Sequence, residues 1–156
     1  MDAERECCPK FDPTPWQERR VVLDGKPFVR DRVRSCLRIP LNYGAVLARN
    51  LAAIRQAGAA APDQLVLADE NSLWGADVYL EATRDVPGAR MATIPGTFLA
   101  QAYEGSHRDI PKWIADLKRR VANQGRTMKR LLFWYTTCPT CAQKHGRNYV
   151  VLFAQI

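Results

Sequence analysis

From residue 28 to residue 39 the chain alternates with period two. Val29, Val33, Leu37 and Ile39 fall on one side, and Arg30, Arg32, Arg34 and Arg38 on the other. This pattern predicts a half-buried strand with an arginine face. Beyond Pro40 the period lengthens. Over residues 45–57, Val46, Leu47, Leu51 and Ile54 gather opposite Arg49, Asn50, Arg55 and Gln56, which predicts an amphipathic helix closed by Gly58. Strands are expected at 64–69 and 77–83, joined through Glu70, Asn71 and Ser72 and ended by Pro87 and Gly88. The order then repeats. Residues 97–103 read as a strand. Ile110, Ile114, Leu117 and Val121 recur at helical spacing, with Pro111 in the first turn and Gly125 past the last. Residues 130–136 and 148–155, rich in β-branched and aromatic side chains, form a final strand pair.

The chain thus spells strand, helix, strand, strand, twice over. The expected fold is α+β: two tandem β-α-β-β units, 28–86 and 89–156, forming a largely antiparallel sheet with helices on one side. Residues 1–27 are expected to form an arm that packs on the C-terminal hairpin.

Composition narrows the picture. The 156 residues include 47% hydrophobic and 25% charged side chains, enough for a real core. The longest apolar runs, 131–135 and 149–154, fall far short of the ~20 residues needed to cross a bilayer. The mixed charge of residues 1–6 lacks the pattern of a secretory signal, so a cytoplasmic protein without membrane association is expected. The net charge of +7 is C-terminal in origin. Fifteen basic residues face sixteen acidic ones up to residue 116, whereas residues 117–156 hold eight basic residues and no carboxylate. A basic surface there can attract an anionic ligand or nucleic acid. For 118–120, placement in the last turns of a helix, where cations favour the dipole, is the simpler explanation, and nucleic acid is the less favoured partner.

Five cysteines in a cytoplasmic chain suggest metal ligands or reactive thiols rather than a disulfide framework. Cys36, inside the first strand, is expected to be a small buried filler. Cys138 and Cys141, two residues apart, can grip one side of a tetrahedral zinc. Cys7 and Cys8 can complete the site if the N-terminal arm folds back, with His145 able to replace one of them. Four protein ligands make such a zinc structural. A C-P-x-C dithiol oxidoreductase is the alternative, although no helix start is predicted at the motif to lower the thiol pKa; plain structural cysteines are a third option.

The open sheet face should carry any chemistry. Tyr79, Glu81 and Thr83 alternate with Val78, Leu80 and Ala82, so the former set is assigned to that face. Trp74, Tyr79, Tyr43, Trp134 and Tyr135 are candidate ligand-binding residues, since aromatic rings offer flat contact surface. Glu104 is the candidate general base, with Tyr103 positioning substrate and Glu81 as a further carboxylate. Tyr103 and Glu104 reach one groove only if Gly105 marks a bulge. Each has a simpler structural role: buried Tyr and Trp are commonly core residues, and Glu81 can pair with an arginine of the first strand.

The segment Ile94-Pro95-Gly96-Thr97-Phe98-Leu99-Ala100, followed by Tyr103-Glu104-Gly105-Ser106-His107, resembles the strand, glycine turn and helix start of the GyrI-like small-molecule-binding family, a fold of SHS2-type pseudo-repeats. Cys7-Cys8-Pro9-Lys10-Phe11-Asp12-Pro13 with Pro15-Trp16, and Cys138-Pro139-Thr140-Cys141-Ala142 with Asn148-Tyr149-Val150-Val151, look like a group of bacterial proteins labelled hydrolases. The resemblance covers nearly the whole chain. It implies a groove between the two units that takes flat or cationic organic molecules. Some relatives of this kind hydrolyse strained cyclopropane-containing compounds, whereas others are drug sensors or gyrase-interacting proteins. The drug sensors often place a carboxylate in the last strand, and residues 149–156 have none. A small organic molecule is therefore the expected partner, with a non-enzymatic ligand- or gyrase-binding module as the alternative and a protein partner allowed.

Overall fold

The computed structural model describes residues 11–36, 39–40, 42–62, 64–136 and 148–156. In chain order the elements are β1 (Arg19–Val22), β2 (Phe28–Cys36), β3 (Ile39–Pro40), α1 (Tyr43–Gln56), β4 (Val66–Ser72), β5 (Gly75–Glu81), β6 (Met91–Ala92), β7 (Thr97–Glu104), α2 (Ile110–Asn123), β8 (Arg130–Tyr135) and β9 (Tyr149–Gln155), with short 3₁₀ turns at Thr14–Trp16 and His107–Asp109. The fold is α+β, and the pairings among β2 to β9 described below are antiparallel. The chain divides into two compact units, Val22–Thr97 and Met1–Val21 with Phe98–Ile156.

In the first unit, Val22–Thr97, the strands run β4-β5-β2-β3, with β6 also on β2. Facing pairs set the two faces of this sheet. Val29 lies opposite Leu80 and Val33 opposite Ala76, while Arg30 meets Tyr79, Arg32 meets Asp77 and Arg34 meets Gly75. The apolar face packs on α1 through Val46, Asn50 and Ile54, all buried. Asn50 therefore belongs to the inward stripe rather than to the solvent side that the helical pattern suggested. The reason is local: its amide donates to the Asp31 carboxylate at 2.7 Å and to the Val46 carbonyl at 2.8 Å, so its polar group is satisfied where it lies.

Three other expectations change. The strand read as continuous to residue 39 ends at Cys36, and Ile39–Pro40 turns back to pair with Ser35 and Cys36. Proline has no N–H to donate, so it suits this edge position. Cys36 is exposed, not buried. The period-two alternation that turns Arg30, Arg32 and Arg34 outward carries residue 36 with them. The polar stretch at 70–72 is not a loop: Ser72 pairs with Gly75 across a tight turn made by Leu73 and Trp74. A Cβ on Gly75 would lie 2.7 Å from the Val33 carbonyl oxygen and 3.0 Å from the Arg32 guanidinium, so only glycine admits this packing.

In the second unit the order is β1-β7-β9-β8. Helix α2 turns Trp113, Leu117 and Val121 inward at four-residue spacing. Tyr103 stacks on Trp113 with ring centres 5.5 Å apart. On the opposite face Trp134 and Phe153 pack against Trp16, and Phe11 reaches Trp134 and Tyr149. The short strands β1 and β6 were not legible as strands, because four and two residues carry too little pattern to show a period.

Candidate functional site

Strand β2 lies between β5 and a partly filled edge. Along it, alternate residues bond toward opposite neighbours. Ser35 donates its N–H to the Trp74 carbonyl on the β5 side, so Arg30, Arg32 and Arg34 turn their backbone groups to the other edge. There β6 covers only Phe28 and Val29, and β3 only Ser35 and Cys36. Between them the amides are satisfied one at a time. Arg30 donates to the Arg90 carbonyl at 2.8 Å. The Arg32 amide donates to the Asp31 carboxylate at 2.7 Å, and the Arg34 amide to the Asn42 side-chain oxygen at 2.7 Å. Side-chain caps of this kind keep an exposed edge from pairing with another strand.

A cavity of about 650 Å³ opens at this interrupted edge. Arg30, Arg32 and Asp77 line it from one face of the sheet, Asp31, Arg49 and Asn50 from the α1 face, and residues 87–90 close its side. Its size falls in the range of sites for small organic molecules.

The polar groups are organised around two carboxylates. Asp77, 8% exposed, accepts hydrogen bonds from Arg30 Nη2 at 3.1 Å, Arg32 Nη1 at 3.0 Å and Asn71 Nδ2 at 2.8 Å. Burial pushes its pKa up, but the Asn71 and Arg32 hydrogen bonds and the nearby Arg30 charge outweigh that and hold it below the usual carboxylate range. Asp31 accepts from Arg49 Nη2 and Asn50 Nδ2, each at 2.7 Å. There too burial raises the pKa, and the hydrogen bonds from Asn50 and Arg49 outweigh it, leaving the group lowered. Both aspartates are therefore ionised at neutral pH and make weak bases. Their effect is to hold three guanidinium groups in place. Arg90 is exposed and its side chain has no partner among the described residues. Four guanidinium groups face two carboxylates, so the lining carries two surplus positive charges. A guanidinium has five N–H donors, and Arg30, Arg32 and Arg49 each make one hydrogen bond to an aspartate, Arg32 with a further one to the Asn71 side-chain oxygen. The remaining donors suit a carboxylate, a phosphate or the oxyanion of a reacting acyl group.

The residues proposed from sequence fall elsewhere or at the margin. Tyr79 is buried beneath Arg30, whose guanidinium carbon lies 5.9 Å from the ring centre. Glu81, also 8% exposed, is engaged with Lys26 at 3.3 Å and the Leu65 amide at 3.1 Å, and thus pairs with a lysine rather than with a β2 arginine. Trp74 stands 63% exposed at the β4–β5 turn, and Tyr43 is the half-buried first residue of α1. In the second unit the β7–β9 register runs unbroken from Phe98 to Glu104, so no bulge precedes Gly105 and Tyr103 and Glu104 face opposite ways. The Tyr103 hydroxyl donates to Asp116 at 2.8 Å, and burial together with that carboxylate pushes its pKa well up. Glu104 is exposed at the strand end. Trp134 packs at 5.2 Å from Trp16, and Tyr135 stacks on Phe133 at 5.9 Å. Cys7, Cys8, Cys138, Cys141 and His145 lie outside the described residues, and among the described residues no group of three or more His, Cys, Asp or Glu could hold a metal ion. Among them, too, no helix is long and apolar enough to cross a membrane.

Sequence reasoning missed Asp31, Asp77, Arg49, Asn50 and Arg90 as site residues. Two signals were present. Asp31 is an acid on the apolar side of an alternating strand, and Asn50 is an amide between Val46 and Ile54 in an apolar stripe. A polar residue on each buried face foretells that the two meet.

Fold and site together define an α+β protein of two helix-backed antiparallel units, the first carrying an arginine-lined cavity suited to a small molecule. Against known families, the bacterial hydrolase family matches residues 1–156, and the chain belongs to that family. No curated protein matches it.

Proposed function

We propose that this protein binds a small organic anion in the cavity at the β2 edge and hydrolyses it. The observation that carries this is the charge balance of the lining, four arginines against two aspartates that are already occupied in holding three of them. Membership of the bacterial hydrolase family supports the reaction type. The repeated strand-helix-strand-strand order and the GyrI-like resemblance of residues 94–107 support small-molecule binding. The positive lining favours an anion over the cationic ligands of that family's drug sensors.

Hydrolysis here adds the oxygen of water to the electrophilic carbon. The bond to the leaving group breaks, and the proton of water passes to the departing group or to solvent. Guanidinium donors lower the cost of the charge that develops on the carbonyl oxygen. Because Asp31 and Asp77 are weak bases, substrates with a strained or otherwise activated bond fit best. The low basicity of both carboxylates also favours a second reading, a binder without turnover. A structural zinc held by Cys7, Cys8, Cys138 and Cys141, in a protein acting in the cytoplasm, completes the proposal.

The test compares mono-4-nitrophenyl glutarate, which carries a carboxylate, with neutral 4-nitrophenyl butyrate. The expected kcat/KM ratio is at least about tenfold in favour of the anionic ester, and Arg32→Gln abolishes the preference. Equal rates for both esters would overturn the anion reading. Binding of glutarate without turnover of either ester would establish the binder instead.

A further inference from the structure

Resting on the anion-binding reading of this cavity, we infer that its ligand is an organic dianion whose two acid groups straddle the edge of β2. One group meets Arg30 and Arg32, and the other meets Arg49 and Arg90.

The inference comes from how a strand edge divides a cavity. Successive side chains of β2 point to opposite faces, so Arg30 and Arg32 lie on one side of the sheet and Asp31 on the other. Asp77, reaching from β5, anchors the first pair of guanidinium groups. Asp31 anchors Arg49 from α1 on the second face. An unbroken neighbouring strand would separate these two basic clusters. Here β6 reaches only to Val29 and β3 begins only at Ser35, and one continuous cavity is lined from both faces. Two surplus positive charges over the whole lining match two negative charges on a ligand. A volume of about 650 Å³ holds far more than an inorganic anion, and it places the charges on separate groups of one organic molecule. Arg90 has a particular part in this. Its backbone is pinned by the hydrogen bond from the Arg30 amide, while its guanidinium has no protein partner among the described residues. It supplies a cation whose neutralisation is left to the ligand.

The test is isothermal titration at low ionic strength of the full chain. Linear α,ω-dicarboxylates from malonate to suberate are compared with monocarboxylates of matching length and with phenyl phosphate. We expect an affinity optimum at one dicarboxylate length, at least about tenfold tighter than the matching monocarboxylate. Arg90→Gln, an exposed position whose substitution leaves the thermal midpoint in place, removes that advantage. Mono- and dicarboxylates binding equally would overturn the dianion inference and leave the anion-binding cavity standing. Phenyl phosphate binding as tightly as the best dicarboxylate would show both charges taken at one point and overturn the two-ended ligand. No binding by any of these anions would overturn the cavity reading and the inference with it.

Discussion

Replacing Asp77 by asparagine keeps the shape of the side chain and removes the charge that holds Arg30 and Arg32. Charge-assisted hydrogen bonds are worth roughly 1.5–3 kcal/mol when their partners are withdrawn from water. Here the carboxylate is withdrawn, at 11% side-chain exposure, but the arginines are 39% and 49% exposed and recover much of their hydration when released. Each arginine bond is therefore discounted to about 0.5–1 kcal/mol, and the Asn71 contact persists in weaker form, which sums to a loss of roughly 2 kcal/mol. For a chain of this length that lowers the midpoint by roughly 4–8 °C, measurable by scanning calorimetry. The pH dependence is more diagnostic. The folded-state pKa of Asp77 lies below its unfolded value, so its stabilisation is present above about pH 4 and is lost as pH falls through the folded value. Wild type and Asp77→Asn should therefore differ most at neutral pH and converge toward pH 2. A midpoint change under about 1 °C at pH 7, or a gap that persists undiminished into acid, would refute the view that the charge on Asp77 organises the arginine face.

Tyr103 titrates in the opposite sense. Its raised pKa means that its contribution is present below about pH 10 and is lost as pH rises beyond. Absorbance titration near 295 nm should show a tyrosine that ionises late in the folded protein, absent from Tyr103→Phe, which should also cost about 1 kcal/mol for the lost bond to Asp116. A phenylalanine variant with an unaltered titration curve would place the late tyrosine elsewhere. Elemental analysis of the purified protein should find about one zinc per chain, reduced in Cys138→Ser. Absence of metal together with freely reactive thiols would reject the zinc and turn attention to dithiol chemistry.

The helices and the longer strands were legible from periodicity alone, because α1, α2, β2, β7 and β9 are long enough for apolar residues to repeat several times. The arginine face of β2 was legible in the same way: alternation is a local property of an extended chain. The cavity was not. It exists because β6 and β3 each cover only one end of β2, and because residues distant in sequence converge there: Asp77 on Arg30 and Arg32, Asn50 and Arg49 on Asp31, and Arg90 on the backbone of Arg30. Strand register decides which carboxylate meets which arginine, and register depends on pairing across the sheet rather than on spacing along the chain. From sequence Glu81 was the carboxylate offered as a partner for an arginine of the first strand. Opposite Phe28 it meets Lys26 instead, while Asp77, four register positions further along, sits opposite Arg32. Local pattern determined how the side chains of β2 alternate, and the tertiary structure decided which residues meet, Asn50 with Asp31 among them.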